Sequence, residues 1–171
     1  MGIARLGLVA AATLLVLSSG AAVFVCSGLY DIGADDHHTR IVLAIIEELR
    51  ERSIAVRARS IAVPDLENPT SIATGAGYYA TLCAGCHLAP GVRKSDIRPG
   101  LYPHPPNLAE EELHDVQRAF WTIKHGIKMS AMPAWGKSLD DAAIWDIVSF
   151  VRRMPAMTPE AYQRLSSARQ G

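Results

Sequence analysis

Residues 83–87 read Cys-Ala-Gly-Cys-His, and no other stretch restricts the fold of this chain so tightly. The spacing sets two thiols one helical turn apart, with an imidazole directly after the second. This is the attachment signature for haem c. The two thiols add across the two vinyl groups of the haem, giving thioethers, and the adjacent His87 is then aimed at the iron as proximal ligand. Three other uses of a cysteine pair fit less well. A redox dithiol would sit in a βαβ pattern, and none surrounds it. Half of a zinc site would want a second cysteine pair, and none follows. A structural disulfide in an exported domain would leave His87 unexplained. The chain has three cysteines in all, the third being Cys26, and an odd count argues against a pure disulfide framework.

A six-coordinate haem needs a second axial ligand. The stretch His-Gly-Ile-Lys-Met-Ser-Ala-Met-Pro-Ala-Trp-Gly at 125–136 offers three candidates, Met132, Met129 and His125. His125 falls near the end of an expected helix, where a histidine often meets the last carbonyls. Methionine also fills irregular gaps in cores, so one of the two sulfurs has an ordinary structural use.

The remaining composition decides where the domain works. There are 17 basic and 17 acidic side chains, so no basic face points to nucleic acid. With 171 residues there is room for one domain and an anchor. Leu6 to Tyr30 carries no charged residue, long enough to cross a bilayer core. Arg5 precedes it, and Asp31, Asp35 and Asp36 follow, which predicts a cytoplasmic start and an extracytoplasmic remainder. A cleaved signal peptide, with Leu6–Leu17 as its apolar region and Ser19-Gly20-Ala21 as its cleavage site, is the competing reading. The apolar character continues past that cut and favours a retained anchor. Phe24 and Val25 are too bulky for a lipobox, so Cys26 is read as a bystander in the span.

Beyond the span, Ile41, Val42, Ile45, Ile46 and Leu49 recur at helical spacing, giving a helix over about 40–60 capped by Thr39. Its arginines make a solvated face, and a docking helix for a membrane partner is the sharper alternative. The prolines of Val63–Pro69 mark a boundary. A further helix should run from near Thr70 into Cys83, and Gly75 and Gly77 within it suggest that another backbone packs close. Residues 88–107 hold five prolines and two glycines and read as loop. A helix is expected from about Ala109 to His125, with Leu113, Val116, Phe120 and Ile123 on one face. Ser138 is the expected cap of a last helix, with Ile144, Trp145, Val148 and Val151 as its buried stripe and Pro155 as its end. No strand is expected. The segments are then an anchor over 1–31, a juxtamembrane helix and linker over 32–69, a haem domain over 70–158 and a tail over 159–171.

These pieces together resemble a class I cytochrome c from about residue 70 to 155. Gly-Ala-Gly-Tyr-Tyr-Ala-Thr-Leu-Cys-Ala-Gly-Cys-His at 75–87 is similar to the family's first helix and haem signature. Pro-Pro-Asn-Leu at 105–108 resembles the loop whose carbonyl receives the proximal histidine's proton. Met-Pro-Ala-Trp-Gly at 132–136 resembles the axial methionine segment, and residues 144–155 resemble the C-terminal helix. The resemblance implies an all-α fold, three or four helices wrapped around one haem c, after an N-terminal transmembrane helix. It implies Met132 as the axial ligand and the Pro106 carbonyl as the partner of His87. It suggests Tyr102, Trp121 and Trp135 as haem-lining or propionate-binding aromatics.

A haem closed by histidine and methionine suits one-electron transfer, because methionine favours ferrous iron and leaves no open face. The expected protein is a membrane-anchored mono-haem electron carrier, with its haem domain in the periplasm of a bacterial inner membrane. It is expected not to be an enzyme in itself. Its donor would be a quinol-oxidising complex or a dehydrogenase and its acceptor a terminal oxidase. A fixed haem subunit of such a complex is the alternative. A ligand-binding haem enzyme or gas sensor, and a haem-free dithiol protein, are weaker readings.

Overall fold

The computed structural model describes residues 2–167. Its regular elements are helices, and no strand occurs among the described residues. The chain divides into two units, residues 1–36 and 37–171. The first contains α1, Ile3–Cys26, which is long and apolar enough to cross a membrane and keeps all its described side chains exposed. Its 24 residues rise about 36 Å at 1.5 Å each, more than a hydrocarbon core requires.

The second unit opens with α2, Arg40–Ala58, whose first turn is capped by the Thr39 hydroxyl accepting from the Val42 amide. Asn68 caps α3, Pro69–Leu82, through a 2.9 Å bond from the Thr70 amide. The single turn α4, Ala84–His87, follows almost without a break. After a long irregular stretch come α5, Val116–His125, α6, Asp141–Arg153, and α7, Pro159–Ser167.

The crossing of α3 with α6 organises this unit. A Cβ on Gly75 would lie 1.9 Å from the Asp146 carbonyl oxygen and 2.5 Å from its carbon. Only a residue without a side chain lets the two backbones meet there. Around the crossing, Ala76, Tyr79, Ile147, Phe150, Val151 and Met154 form the core. Phe120, Ile144 and Val148 make a second apolar cluster where α5 meets α6.

Several expected boundaries move. The helix expected from Ala109 starts at Val116, because the Asp115 carboxylate caps it by accepting from the Arg118 amide at 2.9 Å. Leu113 therefore lies before the helix, though it still packs against the core. Asp140 rather than Ser138 caps α6, accepting from the Ala143 amide at 2.8 Å. Ser138 is taken up by the preceding 3-10 turn, where its amide donates to the Trp135 carbonyl. Trp145 is only partly buried and stacks on Phe120 with ring centres 4.3 Å apart, whereas Ile147 and Phe150 are fully buried. Residues 159–167, read from sequence only as part of a tail, form α7, and its Tyr162 packs into the main core.

Candidate haem site

The Cys-x-x-Cys-His stretch occupies the junction of α3 and α4. Cys83 caps the end of α3, its amide donating to the Tyr79 carbonyl at 2.9 Å. One short turn later, the Cys86 and His87 amides donate back to the Cys83 carbonyl. The turn thus holds both sulfurs and the imidazole on one side of a tight bend. Leu88 then takes φ +63° with ψ −174°, a backbone conformation nearly confined to glycine that costs another residue about 1–3 kcal/mol. The buried Tyr79 hydroxyl holds it there by donating to the Leu88 carbonyl at 2.7 Å. Burial pushes the Tyr79 phenol well above its ordinary pKa, so it remains a proton donor.

His87 Nδ1 lies 3.0 Å from the Pro106 carbonyl oxygen. A carbonyl only accepts, so Nδ1–H donates and Nε2 keeps its lone pair. Burial holds the imidazole below its usual pKa, and the hydrogen bond to Pro106 opposes that only in part. The ring is therefore neutral and ready to ligate at neutral pH. The proline-rich loop reaches this position because Leu108 donates to the His87 carbonyl at 3.2 Å and Arg98 Nη1 donates to the Cys86 carbonyl at 2.9 Å.

These groups open into a cavity of about 870 Å³ lined by Cys83, Cys86, His87, Pro106, Met132 and Trp135, with Ile147, Val148 and Val151 of α6 among its apolar walls. That volume suits a cofactor-sized ligand. Burial, and secondarily the nearby Cys86, push the Cys83 thiol up to about 12. A redox dithiol wants the opposite, a depressed thiol pKa. Nor does any group of three His, Cys, Asp or Glu side chains suited to a bare metal ion occur among the described residues. A deep, largely apolar slot with two thiols, one neutral imidazole and one thioether fits haem c better than a metal ion.

The candidates in the 125–136 stretch separate cleanly. Met132 lines the cavity. Met129 is 96% exposed and sits at φ +57°. His125 is exposed, with its ring 4.8 Å from that of Trp121, and neither ring lines the cavity. The Met132 segment is fastened by local bonds. Its amide donates to the Ser130 hydroxyl at 3.1 Å, Ser130 donates to the Ile127 carbonyl at 2.8 Å, and the Ile127 amide donates to the Met132 carbonyl at 3.2 Å. Gly126 makes this possible. At φ +66°, it lets the segment pass so close that a Cβ would lie 2.7 Å from the Met132 carbonyl oxygen.

Tyr102 does not line the cavity. Its ring stacks on His37 with centres 4.4 Å apart and meets His38 edge-on at 5.5 Å. Gly126 and Ser130 were not singled out from the sequence. A glycine directly after a helix is one signal that could have found the first.

Comparison with known proteins bears on the same region. Residues 70–151 match the family model described as cytochrome c oxidase, cbb3-type, subunit III. The gluconate 2-dehydrogenase cytochrome c subunit of Pantoea cypripedii is 31% identical over 85 residues, covering 46% of this chain. The chain spans only 19% of that curated relative's length. No solved structure matches the chain significantly.

Proposed function

Residues 70–151 are a class I c-type cytochrome domain, which carries haem c and transfers electrons, and from this we propose how the chain holds its haem and where it works. Cys83 and Cys86 provide the thioether links, His87 the proximal ligand and Met132 the distal one. The observation that carries this assignment is the 3.0 Å contact from His87 Nδ1 to the Pro106 carbonyl in the wall of a cavity that Met132 also lines. The haem supplies a one-electron couple when bound. The chain's own residues fix the rest. Pro106 orients the imidazole, and Ser130 and Gly126 hold the Met132 segment in place. The α6 side chains keep water from that wall, and Trp135 adds an aromatic side to the cavity.

We read α1 as a retained anchor that leaves the haem domain in the periplasm of a bacterial inner membrane. A tether to the membrane raises the local concentration of the domain near membrane partners. The chain passes single electrons without catalysing a reaction of its own. Its donor is a quinol-oxidising complex or a dehydrogenase, and its acceptor a terminal oxidase. A second reading makes it a fixed haem subunit of one such complex. Two observations favour it. The matched family model and the Pantoea cypripedii relative are each named as a subunit. The outer face of α2 leaves Ile41, Ile45 and Leu49 exposed at 74%, 63% and 70%, at the i, i+4, i+8 spacing of one continuous stripe.

Optical spectra of the membrane-extracted protein test the ligand set. The expected result is a low-spin haem in both oxidation states, unmoved by carbon monoxide, with a weak ferric sulfur-to-iron band that Met132→Leu abolishes. A high-spin haem, or rapid carbon monoxide binding, would mean an open iron face and would replace electron transfer with ligand binding. Co-purification of a stoichiometric partner after mild solubilisation would select the fixed-subunit reading over the mobile carrier.

A further inference from the structure

The cavity wall is not built from the cytochrome domain alone. Glu47, Arg50, Glu51 and Ile54 of α2 also line it, although α2 lies outside the matched residues 70–151. The helix is attached firmly. Ile54 and Ala58 are buried at 6% and 1% exposure, Gln117 of α5 donates to the Ile61 carbonyl just past the helix, and Arg118 of α5 pairs with Glu51.

Glu51 serves two arginines at once. One of its oxygens takes Arg50 Nε at 2.9 Å and the other takes Arg118 Nη2. The triad therefore carries one net positive charge. Arg50 and Arg118 are the only lysine or arginine side chains among the residues lining the cavity, and each is about a third exposed or less. Four other carboxylates reach the same wall, from Glu47, Glu111, Glu112 and Asp115. Asp115 is occupied as the cap of α5, and Glu111 accepts from the Asn107 amide at 3.2 Å. A haem bound through its vinyl groups at Cys83 and Cys86 presents its two propionates at the opposite edge. Those carboxylates need cations, since a buried unpaired carboxylate is costly.

We propose that α2 completes the haem pocket, with Arg50 and Arg118, clamped in place by Glu51, holding the propionate edge of the haem. The inference rests on the haem reading above. It makes the juxtamembrane helix a component of the redox site rather than a spacer. Anything that shifts α2, including a partner docked on its outer apolar stripe, then changes the charge beside the haem.

The test is a potentiometric titration of the full-length, detergent-extracted protein, with covalently bound haem assayed on each sample. Ferric haem carries one more positive charge than ferrous haem. Removing a nearby cation therefore favours the ferric state, and removing a nearby anion favours the ferrous one. Arg50→Gln and Arg118→Gln should each lower the ferrous-to-ferric ratio at fixed poise by about three- to tenfold, where tenfold is 59 mV for one electron. Glu51→Gln should raise it, and Arg50→Lys should stay near the parent. Arg52→Gln, on the same helix but 80% exposed and paired with Glu48, should leave it unchanged. A purely structural role for α2 would predict another pattern, since loosening the wall admits water and lowers the potential in Arg50→Gln and Glu51→Gln alike. That result, or Arg50→Gln matching Arg52→Gln with haem retained, overturns the proposal. If Arg50→Gln does not accumulate, Glu51→Gln and Arg50→Lys decide by the same signs. Absence of covalent haem in the unsubstituted protein would instead sink the haem reading itself.

Discussion

The α3–α6 crossing and the Met132 segment are both built over a glycine, and they are built for different purposes. At the crossing, Gly75 brings two helix backbones into contact, and a dry core closes around them on both sides. At the Met132 segment, Gly126 brings a loop across the end of α5. That loop is held by hydrogen bonds through Ser130 and is half exposed. The first region is complete with protein atoms alone. The second lines the cavity, through Ile127, Ser130 and Met132. Damage at the crossing should therefore appear as lost stability of the whole domain, and damage at the loop as altered iron ligation with the fold intact.

The largest expected effect is at the crossing. In Gly75→Ala the new Cβ would stand 1.9 Å from backbone oxygen, and neither helix can yield without moving the core. Overpacking of this kind should cost about 3 kcal/mol or more, measured by urea unfolding of the haem-loaded protein. A loss below about 1 kcal/mol would mean that the helices cross elsewhere. Gly126→Ala comes next. Its φ of +66° and the close Met132 carbonyl should cost about 1–3 kcal/mol. Here the informative readout is spectral: the ferric sulfur-to-iron band should weaken or vanish before the helical content changes. Equal losses of band and helix would erase the distinction between the two regions.

The sequence made the crossing legible for the same reason that Gly75→Ala should be damaging. Glycine is a poor helix residue, so Gly75 within a helical pattern called for a close neighbour. Cys83, Cys86 and His87 were legible because their chemistry fixes both residue type and spacing. Met132 became distinguishable from Met129 only through the family resemblance, and the structure then places one in the cavity and the other in solvent. Other features depended on partners distant in sequence. Tyr102 was expected near the haem, but its neighbours are His37 and His38, which no local pattern connects to it. The role of α2 in the cavity wall was equally hidden. Its outer stripe dominates the helical periodicity, while its inner face is a mixture of charges. The helix α7 is short, and its main inward anchor is Tyr162, so its pattern was too brief to stand out from a tail.

The smallest expected effect is at Met129, and its sign is what matters. The residue is 96% exposed and has φ +57°. A left-handed backbone costs an ordinary side chain about 1 kcal/mol, and asparagine tolerates it better because its short amide bonds locally. Met129→Asn removes the rival sulfur and relieves that strain in a single change. The sulfur-to-iron band should remain intact, and the unfolding midpoint should rise by an amount worth about 0.5–1 kcal/mol. Loss of the band would move the axial sulfur to Met129 and require the loop to turn inside out around Ser130. A fall in stability with the band retained would leave Met132 as the ligand. It would also show that the methionine side chain contributes more to the folded state than its left-handed backbone costs.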